Sequence, residues 1–122
     1  MTTVELTEHT FASHVMTPGV TLVDFWAPWC GPCIHFAPVY EAVSAAHAGL
    51  TFAKVNTEVE EILAASAQIT SIPTLMAFRD GLLVFRQSGA VSAATLEEII
   101  SSVEALDMDD VRARFAELRA SA

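Results

Sequence analysis

Positive charge is scarce in this sequence: six Lys and Arg stand against 15 Asp and Glu, a formal net charge of −9 at pH 7. So acidic a chain has no basic patch with which to displace counterions, so neither nucleic acid nor an anionic membrane is expected as a partner. Long apolar runs are missing too. No stretch approaches the roughly 20 residues of a bilayer span. The opening Met1-Thr2-Thr3-Val4-Glu5 has no basic segment followed by an apolar one, so it does not read as a secretory leader. Cysteine is limited to two residues, Cys30 and Cys33. A bridge that closes so short a loop adds little chain-entropy stability. A chain of 122 residues buries enough surface to fold without a staple or a structural metal. The expected setting is a reducing cytoplasm, where a cysteine pair is catalytic or metal-binding rather than structural.

What is present is a 52% hydrophobic composition that suits one globular domain. Residues 21–26, Thr-Leu-Val-Asp-Phe-Trp, read as a buried strand. A helix is expected from Cys30 to about Ala48, with Cys33, Phe36, Ala37, Tyr40, Val43 and Ser44 at helical spacing and a kink at Pro38. Residues 51–56 read as a second central strand, and Thr57 with Glu60 has the form of a capping box opening a further helix. Ile72-Pro73 breaks the chain before a strand at 74–78, and Asp80-Gly81 signals a hairpin into 82–85. Ser92 is placed to cap a helix with the stripe Leu96, Ile99, Ile100 and Val103. The order implies an α/β layered sandwich: two parallel central strands and an antiparallel hairpin in one mixed sheet.

Cys30-Gly31-Pro32-Cys33 falls at a strand-to-helix junction. There the unpaired N–H groups and the positive dipole end favour an anion, and a thiolate is both an anion and the nucleophile. Cys33 lies one turn later on the same face, while Pro32 sits where its missing N–H costs nothing. Cys30 is therefore expected to attack a disulfide and Cys33 to resolve the mixed disulfide. Gly31-Pro32 places no cation between the thiols, which points towards reduction rather than oxidation. Asp24 interrupts an apolar strand; alternation alone leaves open whether it turns outward or is buried. If buried, its pKa rises and it becomes a proton acceptor near neutrality. Zinc is not expected, since a tetrahedral site needs four ligands and His35 stands about 200° round the helix from Cys33.

These residues resemble the thioredoxin family over roughly residues 3–106. The carriers are the run Val23-Asp24-Phe25-Trp26-Ala27-Pro28-Trp29-Cys30-Gly31-Pro32-Cys33, then Pro38, Lys54, Ile72-Pro73-Thr74, Asp80-Gly81 and Gly89. The resemblance implies the thioredoxin fold, a central mixed sheet with helices on both faces, and a protein disulfide reductase that binds no cofactor beyond its own redox-active Cys30–Cys33 disulfide. It implies that Asp24 lies buried behind Cys33 and helps deprotonate it, with Lys54 beside it. It implies a cis bond before Pro73, substrate pairing through the backbone of Ile72, and a docking rim of Trp29, Gly31, Pro32, Ile72, Gly89 and Ala90. The expected partners are disulfide-containing target proteins and an NADPH-dependent thioredoxin reductase, and the chain is expected to be a monomer.

Two features depart from the family pattern. Where the family commonly carries Lys after the second cysteine, this chain has Ile34, which removes a positive charge and widens the apolar rim. The chain also continues past residue 106. Residues 107–122 form a separate amphipathic extension with Met108, Val111, Phe115 and Leu118 on one helical stripe, expected to dock on its own domain 1–106.

Overall fold

The computed structural model describes residues 2–121. Among these residues five strands and five helices follow one another: β1 (Thr3–Glu5), α1 (Phe11–Val15), β2 (Val20–Trp26), α2 (Gly31–Ala45), β3 (Thr51–Asn56), α3 (Glu61–Ser66), β4 (Thr74–Arg79), β5 (Leu82–Ser88), α4 (Ala93–Glu104) and α5 (Met108–Ser121). The sheet order is β1-β3-β2-β4-β5. β3 runs parallel to both β1 and β2, whereas β4 is antiparallel to β2 and β5. This is the mixed five-stranded sheet of a thioredoxin fold.

Period-two alternation along β2 sends its side chains into two separate cores. Leu22 joins Phe52 of β3, Leu75 and Ala77 of β4, Phe36 and Tyr40 of α2, and Leu96 and Ile100 of α4. Val23 and Phe25 face the other way, with Ala53, Val55 and Met76, beneath Phe11 and Leu63 from α1 and α3. β2 is thus buried on both faces, and six of its seven residues, Val20 to Phe25, are buried. A fully buried aliphatic or aromatic side chain contributes about 1.5–3 kcal/mol, so this strand anchors the domain.

The hairpin forms where Asp80-Gly81 was expected. Both residues have positive φ (53° and 85°), the backbone a two-residue turn of matching twist requires. Asp80 Oδ1 also accepts the Gly19 N–H at 2.7 Å. α4 is capped by Ser92, whose hydroxyl accepts the Thr95 N–H at 3.1 Å. At its other end Arg79 Nη1 donates to the carbonyls of Val103, Glu104 and Leu106, each at 2.9 Å.

Several expectations are corrected. α2 stops at Ala45, three residues earlier than expected, with Pro38 inside it as the sequence placed it. The capping box does not form: the Thr57 hydroxyl donates to the Trp26 carbonyl at 3.0 Å, and α3 opens only at Glu61 with no side-chain cap. The trailing end of β2 outcompetes the local motif. β5 extends to Ser88, because pairing with β4 carries it beyond its apolar run. The sequence pattern did not reveal β1 or α1. β1 has three residues and is set by pairing with β3, not by any alternation of its own.

The extension is helical. Asp107 Oδ1 accepts the N–H groups of Asp109 and Asp110 at 3.0 and 3.3 Å, and Arg112 reaches Asp80 at 3.3 Å. Met108 is buried, Val111 and Phe115 are half-buried, and Leu118 is exposed. Among the described residues no helix is long and apolar enough to cross a membrane.

Candidate active site

The two cysteines meet where β2 ends and α2 begins. Cys30 is the N-cap of α2, with an extended backbone (φ −86°, ψ 113°), and its Sγ accepts the Cys33 N–H at 3.2 Å. That N–H is one of the orphan donors of a helix start, aimed at the sulfur that would carry a thiolate's charge. Pro32 stands in the first turn. Cys30 and Cys33 are joined by a disulfide, their Cα atoms 5.2 Å apart. Cys30 is 5% exposed and Cys33 2%, both packed with Ala27, Trp26 and Ile72.

Across from the pair, the loop before β4 carries a cis Ile72-Pro73 bond. It brings the Ile72 carbonyl to 3.8 Å from Cys30 Sγ. The buried Pro73 accepts the Gly89 N–H through its carbonyl at 2.8 Å, so Gly89 and the adjacent Ala90 join the same rim. Gly89 has φ +97°, a backbone that a Cβ would strain. Gly31, Pro32, Trp29 and Ile34 are exposed on the other side, Trp29 at 67% and Ile34 at 57%. The surface over the sulfurs is apolar.

Asp24 is fully buried, with no hydrogen-bond partner for either carboxylate oxygen among the described residues. It points to the α2 side of the sheet, as the shared parity with Leu22 requires. Burial raises its pKa from the ordinary 3.8 to about 7, against the pull of Lys54 and with a smaller push from Glu5. Lys54 lies opposite Asp24 in the β2–β3 register. It makes no ion pair with Asp24; its Nζ sits 4.5 Å from the centroid of the Trp26 ring. No group of His, Cys, Asp and Glu able to hold a metal ion occurs among the described residues.

Two contacts around the site were not anticipated. Trp29 Nε1 donates to Glu58 at 2.8 Å, and Trp26 Nε1 donates to Glu5 at 3.1 Å. Glu58, Glu60 and Glu61 follow Thr57, where a capping box would have put them in the first turn of a helix. Only Glu61 takes that place; Glu60 accepts the Glu8 N–H at 2.8 Å. No local signal marks these acids, because their partners come from other elements.

The family model described as Thioredoxin matches residues 2–102. The chain belongs to the thioredoxin family. It is 48% identical over 120 residues to the "Putative thioredoxin 2" of Streptomyces coelicolor, covering 98% of this chain and 90% of that protein. A thioredoxin of Mycobacterium tuberculosis is 42% identical over 103 residues, 83% of this chain and 89% of the relative. Thioredoxin 1 of Nostoc sp. is 42% identical over 98 residues, 79% and 92% of the two chains. As a member of this family, the chain is a thiol–disulfide oxidoreductase that exchanges dithiol for disulfide at Cys30–Cys33 and needs no cofactor for it. The Streptomyces match takes in the extension, while the other two matches are shorter by about its length.

Proposed function

We propose that Cys30 is the attacking sulfur of a protein disulfide reductase and that Cys33 is the resolving one. The observation that carries this is the Cys33 N–H directed at Cys30 Sγ, which favours the anion on that sulfur, together with the greater exposure of Cys30. In the reduced protein the Cys30 thiolate attacks a target disulfide, forms a mixed disulfide and expels one target sulfur as a thiolate. Cys33 gives its proton to Asp24 and attacks Cys30 Sγ. The second target sulfur leaves, so the target gains two electrons and the Cys30–Cys33 disulfide is restored. A carboxyl with a pKa of about 7 suits that transfer at neutral pH. Lys54 acts on Asp24 through its charge.

The target's extended chain pairs with the Ile72 backbone beside Pro73, over the rim of Trp29, Gly31, Pro32, Gly89 and Ala90. Ile34 extends that rim with apolar surface, which favours hydrophobic target segments. The targets are disulfide-containing proteins and the electron donor is an NADPH-dependent thioredoxin reductase, both acting in a reducing cytoplasm. We read residues 1–106 as the thioredoxin domain, active as a monomer, and 107–122 as an extension docked on it.

Dithiothreitol-driven insulin reduction tests the central assignment. Cys30→Ser should abolish the activity, and Cys33→Ser should trap targets as mixed disulfides through Cys30. Wild-type activity from Cys30→Ser would remove the assignment.

A further inference from the structure

Three charged side chains lie in one row across the parallel half of the sheet. Register pairs Glu5 of β1 with Lys54 of β3, and Lys54 with Asp24 of β2. Parallel strands in register send such residues to one face, here the face under α2. The order is acid, base, acid. Trp26, two residues after Asp24 on the same face, locks the row from above: its indole N–H holds Glu5 at 3.1 Å and its ring carries the Lys54 ammonium at 4.5 Å. Lys54 makes no ion pair with either carboxylate among the described residues, and lies instead against the ring between them.

We propose that Glu5 is a positioning residue for the exchange reaction: held by Trp26 on the far side of Lys54, it divides the lysine's charge between two carboxylates and so weakens the lysine's hold on the Asp24 carboxylate. This rests on the reading of Asp24 as the proton acceptor for Cys33. The charged and titratable groups that act on Asp24 or are acted on by it are Lys54 from β3, Glu5 from β1 and Tyr40 from α2; Glu60, before α3, acts on Glu5 in turn. Lys54 alone favours the Asp24 anion, while Glu5 opposes it twice, by its own charge and by competing for the ammonium. Partial burial raises the proton affinity of Glu5 itself, against the opposing pull of Lys54 and the Trp26 hydrogen bond.

Two strand spacings put the carboxyls about 10 Å apart. Coulomb's law between the protein-surface and bulk-water limits then gives an effect of about 0.3–1 pH unit on Asp24. The test follows the Asp24 carboxyl carbon by NMR against pH in the oxidised protein. In parallel, the rate of Cys33-dependent resolution of a mixed disulfide is measured over the same pH range. Glu5→Gln keeps an oxygen for the indole and removes the charge. It should lower the Asp24 midpoint by about 0.3–1 unit and move the resolution profile to lower pH by the same amount. Glu5→Asp should restore both towards wild type, which a purely structural role for Glu5 would not require. An Asp24 midpoint equal in wild type and Glu5→Gln overturns the proposal. If the midpoint moves but both Glu5→Gln and Asp24→Asn keep the wild-type resolution profile, Asp24 is not the acceptor. The charge coupling then stands, but Glu5 loses its part in the exchange.

Discussion

Replacing Asp24 with Asn should make this protein more stable at alkaline pH while leaving it little changed, or weakened, in acid. In the unfolded chain the carboxyl titrates near 3.8; in the fold it titrates near 7. Between those values the folded protein holds a proton that the unfolded chain has released, so stability falls as pH rises through that window. Below 3.8 both states are protonated and the group contributes no pH dependence; above about 7 both are ionised and the penalty is complete. A difference of about three units corresponds to about 4 kcal/mol, a large share of a domain's net stability. Asn brings its own cost, a buried amide without partners, but that cost does not vary with pH. The quantity to measure is therefore how the difference between variant and wild type changes with pH. Guanidinium unfolding of the oxidised proteins at pH 5 and pH 8.5 isolates it, because the disulfide keeps both cysteines from titrating. The variant should gain about 2–4 kcal/mol relative to wild type between the two conditions. A difference that stays flat across that range would refute the burial argument for Asp24.

Ile34→Lys should return a positive charge to the first turn of α2, raise the thiolate fraction of Cys30 and shift its alkylation profile to lower pH; an unchanged profile would count against the electrostatic reading of this position. Phe115→Ala in α5 should cost about 1–2 kcal/mol in urea unfolding, since the ring is only half-buried, and should leave insulin reduction as in wild type. Phe115 lines a groove together with Leu83 and Val84, at the hairpin end of β5 away from Pro73.

How much could be read before folding depended on whether a residue's partner was near it in the chain. Cys30 and Cys33 are one helical turn apart, Asp80-Gly81 carries its own turn preference, and Ser92 caps the helix that follows it. Such features are local, and the pattern of residues states them. The row Glu5, Lys54, Asp24 is different. It spans three strands drawn from widely separated positions, and only register brings it together. The same holds for Glu58, which stands beside other acids in the chain but is held by the Trp29 indole from 29 residues away.

The identity of the reacting atoms, their spacing and the helix start that favours a thiolate were determined by sequence alone, because each depends on neighbours within a turn of the chain. Whether Asp24 faces water or protein was left open by that same sequence, since strand alternation allows either. The tertiary structure decided it by covering both faces of β2 with helices: a carboxyl on a strand buried from two sides has no route to solvent, and its proton affinity rises to the range where it can serve the cysteines.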